Sequence, residues 1–104
     1  MRLPSRKVAS NRIELRGPVL GEAELRVTPA GTPVLWLVVD CGEPDARFGL
    51  PVIFTGERAP ALRPQLGWGK LIKVAGSLRA ARAGARVSAV PSLEVLAESI
   101  EPVD

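Results

Sequence analysis

The six residues Val34 to Val39 form the longest unbroken apolar run in the chain, and they limit what it can fold into more than any other segment. Such a run is far shorter than the roughly 18 to 20 residues a membrane helix needs. Val34-Leu-Trp-Leu-Val-Val-Asp40 is β-branched, aromatic and apolar on both alternating faces, so it reads as a strand that something must cover on each side. The segments before it alternate instead. Asn11-Arg-Ile-Glu-Leu-Arg-Gly17 sets Ile13 and Leu15 against Arg12, Glu14 and Arg16, the period of a half-buried strand, and Ala23-Glu-Leu-Arg-Val27 repeats the pattern. Gly21 lies between the two pieces, which predicts one long first strand continued through a bend or bulge. Thr28-Pro-Ala-Gly-Thr-Pro33 is a turn by composition, because Pro fixes φ and Gly supplies positive φ.

After the apolar run, Cys41 to Phe48 is a short polar loop and Leu50-Pro-Val-Ile-Phe-Thr55 reads as a third strand, with Pro51 at an edge or at the strand's start. Two prolines between Gly56 and Gly67 leave room for a turn or two of helix, a connector with Leu62 and Leu66 pinned to the core. Lys70 to Leu78 reads as strand 4 and Arg79 to Ala85 as a small-residue loop. Strand 5 is expected to begin at Arg86 and to resume after Pro91 and Ser92 through Leu93, Val95, Leu96 and Ile100. The fold class predicted is all-β, a five-stranded OB-fold Greek-key barrel with a short helical connector between strands 3 and 4; a five-stranded SH3-like barrel fits the strands nearly as well. Residues 1–10 form a basic N-terminal arm, and 11–104 a single OB-fold domain.

A chain of 104 residues with one cysteine and no histidine has few means of doing chemistry. Cys41 has no intramolecular disulfide partner, and the commonest general base and metal ligand is missing. There is no phosphate-cradling Gly-Lys-Ser/Thr loop and no Gly-x-Ser-x-Gly turn, so no enzyme, no metal and no cofactor is expected. The basic N-terminus is not followed by an apolar stretch of about 7 to 15 residues, which predicts a cytoplasmic protein with no membrane partner. Net charge is only +3, but its distribution is uneven. Residues 1–16 hold five bases against Glu14, residues 69–90 hold Lys70, Lys73, Arg79, Arg82 and Arg86 with no acid, and the last thirteen residues hold Glu94, Glu98, Glu101 and Asp104 with no base. Acid-free basic segments suit phosphate.

Asn11-Arg-Ile-Glu-Leu-Arg-Gly17 and Glu24-Leu-Arg-Val-Thr-Pro-Ala-Gly-Thr-Pro-Val34 resemble the opening of bacterial single-stranded DNA-binding proteins, in which an Asn-x-x-x-Leu-x-Gly strand leads to a Leu-Arg-x-Thr-Pro-x-Gly turn. Leu50-Pro-Val-Ile-Phe-Thr-Gly56, Gly69-Lys-Leu-Ile-Lys-Val-Ala-Gly76 and Ala97-Glu-Ser-Ile-Glu resemble the primosomal replication protein N branch of that family. The resemblance spans residues 11–101. It implies a non-catalytic protein that binds single-stranded DNA (or RNA), forms a homodimer, and works in DNA replication and replication restart beside a helicase and other primosome proteins. Two departures qualify it. The chain as given ends at Pro102-Val-Asp104 without a long acidic tail, and the base-stacking aromatics of the tetrameric relatives are mostly missing, which shifts binding toward phosphate contacts. A general single-stranded DNA-binding protein without the tail, or an OB module that docks an acidic protein partner, are the alternatives.

The nucleic-acid-binding candidates follow from these readings. Arg79, Arg82 and Arg86 flank or sit on loop 4-5, where the resemblance implies basic contacts; the competing reading is a solvated loop. Arg47 and Phe48 close loop 2-3, as a contact pair or as a surface Arg beside a core Phe. If Leu35, Leu37 and Val39 point inward, Trp36 lies outside with Val34 and Val38, either as a base-stacking platform or as part of a subunit interface. Lys73 and Arg12, with Arg16, add positive potential. Trp68 reads as a packing anchor.

Overall fold

The computed structural model describes residues 10–81 and 92–103. The first strand, β1, runs from Ile13 to Val27 without a break, and it is long because its two halves serve different neighbours. Ile13–Pro18 pairs with β4 (Leu71–Ala80), and Val19–Val27 pairs with β2 (Pro33–Asp40), antiparallel in both cases. The register slips between Leu20 and Glu24, and Gly21 there has φ of 75°, a conformation that costs a side-chain-bearing residue free energy. The bend expected at Gly21 is therefore a bulge that swings one strand from one neighbour to the next.

β3 (Gly49–Thr55) pairs antiparallel with β2, and β5 (Leu93–Pro102) pairs antiparallel with β4 along its whole length. A short parallel contact, Val52 with Val95 and Ile53 with Leu96, joins β3 to β5 and closes the barrel in the order β1-β2-β3-β5-β4. Pro51 precedes that contact, where β3 has β2 as its one strand neighbour and a missing N–H leaves no gap between β3 and β5. Between β3 and β4 the two prolines allow only one α-turn, α1 (Ala59–Leu62), and a 3-10 turn, Arg63–Gln65.

The inward residues are Val19 and Ala23 from β1, Leu35, Leu37 and Val39 from β2 as the alternation assigns, Val52 and Phe54 from β3, Ile72 and Val74 from β4, and Val95, Ala97 and Ile100 from β5. Leu62 and Leu66 plug the end of the barrel at the connector, and the Arg63 Nε–H donates to the Ala23 carbonyl at 3.2 Å, pinning the connector to the β1 bulge. Among the described residues nine Leu, Ile and Val side chains are essentially fully buried, each contributing about 1.5 to 3 kcal/mol by leaving water. Gly17 passes so close to β2 that a Cβ there would collide with the Asp40 carbonyl oxygen, which explains why the first strand stops alternating at a glycine.

β4 outlasts its expected end. It continues through Arg79 and Ala80 because Glu94 and Leu93 face them across the ladder. The first segment expected for strand 5, Arg86 to Val90, lies outside the described residues, as do Arg2, Arg6 and Lys7 of the basic arm. Among the described residues no helix is long and apolar enough to cross a membrane.

Candidate nucleic-acid interface

Strand direction decides which loops share an end of the barrel. β3 and β5 are parallel, so loop 2-3 and loop 4-5, which precede them, leave the same end. The N-terminal segment joins them there. The Asn11 side chain donates to the Leu78 carbonyl at 2.7 Å and accepts from the Leu78 N–H at 2.9 Å, which brings Arg12 beside the last turns of β4. Arg12, Arg47 and Arg79 thus lie on segments at one end of the barrel.

Arg79 and Arg47 are both held. Arg79 Nε lies 2.6 Å from Glu94 Oε2 across the β4–β5 ladder, and Arg47 Nε lies 3.6 Å from Asp40 Oδ2. Asp40 and Glu94 are the buried charged residues of the described chain, 7% and 8% exposed. Asp40 also accepts the Gly42 N–H on Oδ1 at 3.2 Å, and the Cys41 N–H donates to the Phe48 carbonyl at 3.0 Å, so loop 2-3 is tied at its root. Within that loop Phe48 is 55% exposed. It is not a core residue, and it stands next to Arg47 with its ring in solvent.

The outer face of the sheet carries the rest. With Leu35, Leu37 and Val39 buried, Trp36 points outward between Glu24 of β1 and Ile53 of β3. Arg26 lies over the indole with its guanidinium carbon 5.9 Å from the ring centroid, and its Nη2 donates to Glu24 Oε1 at 2.7 Å. Ile53 belongs to this outer row yet is buried, because Trp36 and Leu96 flank it on the neighbouring strands. Arg26 was missed in the sequence; the alternation that places Trp36 outside also places Arg26 outside, and only the β1–β2 register brings them together.

Lys73 lies apart from Arg79, although it pairs across the ladder with Arg16 beside Gly17, which passes close to Asp40. Lys73 is on the same strand as Arg79 but six residues away, roughly 20 Å at about 3.3 Å per residue. It is paired with Glu14 at 3.8 Å and lies between Arg16 and Glu101 in the sheet. Arg82 and Arg86 lie outside the described residues. Trp68 does not anchor packing: it is 75% exposed at the opposite end of the barrel, since the Gly69 N–H and Val19 carbonyl hold the backbone and leave the ring outside. Burial, and then the Asp40 carboxylate, push the Cys41 thiol above its ordinary value, and its S–H donates to the Val39 carbonyl at 3.4 Å.

The segregation of charge along the sequence changes meaning once strands pair. The basic stretch lies partly on β4 and the acidic stretch on β5, and these run antiparallel side by side, with Lys73 opposite Glu101 and Arg79 opposite Glu94. Part of the basic surface is therefore neutralised by its own neighbour.

No protein-family model and no curated protein matches the sequence. Among solved structures, the crystal structure of the SSB domain of a Synechococcus sp. protein is similar, with a TM-score of 0.71 at 22% identity, over 92% of this chain and 99% of that one. The fold is an OB-fold. That likeness, with the closed β1-β2-β3-β5-β4 order and the connector between β3 and β4, decides between the two barrels the strand count alone allows.

Proposed function

We propose that the protein binds single-stranded DNA without catalysis, gripping phosphates at the end of the OB barrel that carries loops 2-3 and 4-5. The observation that carries this reading is that the segments holding Arg12, Arg47 and Arg79 leave the same end of the barrel, with the exposed Phe48 next to Arg47 in sequence. An arginine pairs with phosphate through its planar fork, and an exposed aromatic offers any base a face to stack on. Arg82 and Arg86 belong to the same segment as Arg79 and extend the phosphate path in this reading. OB barrels bind oligonucleotides over the β2–β3 face and adjoining loops, which fits the position of Trp36.

The resemblance to primosomal replication protein N supports a role in replication restart, with a helicase and other primosome proteins as partners, and a homodimer as the working form. The dimer reading also rests on the outer face, where Val34, Trp36 and Val38 make an apolar patch that a second copy would cover. Trp36 then serves either as a stacking platform or as an interface residue.

Titration of labelled oligo-dT and of a duplex at two salt concentrations, beside a solution mass determination, tests the whole. The expected result is salt-dependent binding of the single strand, weaker binding of the duplex, and a dimer mass. Equal affinity for both nucleic acids, or none for either, overturns the proposal.

A further inference from the structure

An OB barrel buries apolar side chains, so the two carboxylates it buries here require a reason. Asp40 and Glu94 are each more than nine-tenths buried, and each sits at the root of one loop of the binding end, Asp40 where β2 enters loop 2-3 and Glu94 where β5 leaves loop 4-5. Leaving a buried carboxylate unpaired is strongly destabilising, and neither is unpaired. The partner in both cases is a solvent-facing arginine.

Both contacts are made through Nε, one as a hydrogen bond and one as a longer ion pair. Glu94 meets Arg79 through Nε at 2.6 Å and Asp40 meets Arg47 through Nε at 3.6 Å. A guanidinium has one N–H on Nε and four on its two Nη atoms. Glu94 accepts the first from Arg79 and Asp40 faces it on Arg47 as an ion pair, and among the described residues no hydrogen bond engages the Nη groups of Arg47 or Arg79. The terminal edge is the one that pairs with two phosphate oxygens at once. A free arginine loses rotamer freedom when it grips a phosphate, whereas one already held by its Nε loses less.

We infer that Asp40 and Glu94 are positioning residues for the nucleic acid, each holding one root arginine by Nε so that its Nη edge is presented to a phosphate. The inference rests on the single-strand-binding reading above and assigns to it two residues that touch no nucleic acid. A different role for the same pairs would be charge cancellation, in which each acid weakens binding by neutralising its arginine. A third would be support of the fold alone.

Three variants separate these roles at Glu94, with oligo-dT as probe and thermal melting to establish the folded fraction. Glu94→Gln keeps an acceptor oxygen within reach of Nε but loses the charge, and Glu94→Ala loses both. Positioning predicts that Glu94→Ala binds about fivefold more weakly, corresponding to roughly 1 kcal/mol of coupling, while Glu94→Gln binds at least as tightly as wild type. It also predicts that Glu94→Ala has no further effect when Arg79 is already Ala. Asp40→Asn, in cycle with Arg47→Ala, is expected to follow Glu94→Gln. Tighter binding by both Glu94→Gln and Glu94→Ala overturns positioning in favour of charge cancellation. An Arg79-independent loss overturns it in favour of a fold effect. If wild type binds oligo-dT and the cycles show no coupling, only the positioning inference fails; if wild type binds no oligo-dT, the binding reading fails and takes this inference with it.

Discussion

At the connector end of the barrel the plug is apolar, Ala59, Leu62 and Leu66 packed on the core, whereas at the loop end the chain buries two carboxylates and ties an arginine to each. Both ends must close a barrel, and they do it with opposite chemistry. Apolar closure is non-directional and tolerates any orientation of its surroundings. Closure by buried acids is directional, because each acid fixes the position of a particular cation. The first end contributes stability; the second contributes presentation, at some expense of stability since a buried ion pair seldom outweighs its own desolvation.

The sharpest way to break this contrast is to damage the plug. Leu66 is fully buried, and Leu66→Ala should cost about 2 to 5 kcal/mol of unfolding free energy by urea titration, from lost transfer and the cavity left behind. The affinity of the folded fraction for oligo-dT should not change. A Leu66→Ala protein that is folded by circular dichroism yet binds poorly would show that the two ends are coupled.

The converse damage is at the loop end. A triple Arg79/Arg82/Arg86→Ala variant should weaken binding similarly for different base compositions. Its log-log salt slope should be shallower by up to about 0.7 for each lost contact with a single strand. Stability should also fall, by up to about 3 to 5 kcal/mol, because Glu94 is left buried without its partner. An unchanged slope in a folded triple variant would remove these residues from the site and leave the OB-fold untouched.

Trp36 tests the face between the ends. If it stacks a base, Trp36→Ala should weaken binding by about 1 to 3 kcal/mol with little change of slope. If it lies between subunits, the same change should lower the solution mass. Retention of both affinity and mass would leave the indole with no role beyond its contact with Arg26 and its cover of Ile53.

The sequence shows the fold better than the site because the two depend on different ranges of contact. Burial follows alternation, a local pattern, so the inward faces of β1 and β2 and the roles of Leu62 and Leu66 can be read from neighbours a few residues apart. The bulge at Gly21 is legible for the same reason. Arg79 with Glu94, by contrast, is a contact across a ladder whose register includes a shift at Ala75 and Gly76, and nothing local announces it. Acids near the end of the chain look like a solvated tail until β5 is laid beside β4. Trp68 misleads differently: an aromatic between two glycines has the size of an anchor, but size does not say which way a ring points.

The smallest effect expected at the loop end is a titration. Cys41 follows Asp40 at the root of loop 2-3, and burial first and the carboxylate second raise its thiol above the ordinary value of 9.0. The folded protein therefore keeps this proton over a range of pH in which the unfolded chain has lost it. Proton binding favours the folded state there, so the contribution to stability is complete below about pH 9 and declines as pH rises through the raised value. Wild type should lose melting temperature on going from pH 8.5 toward alkaline conditions faster than Cys41→Ala, the difference between the two curves being the readout. Because the thiolate is the nucleophile, alkylation of folded protein near neutral pH should also be slower than that of the urea-unfolded chain. Substituting Asp40→Asn removes one of the two causes, and the thiol of that variant should alkylate faster than wild type while still slower than the unfolded chain, since burial remains. Parallel pH curves for wild type and Cys41→Ala would show that the thiol at the root of loop 2-3 is open to solvent.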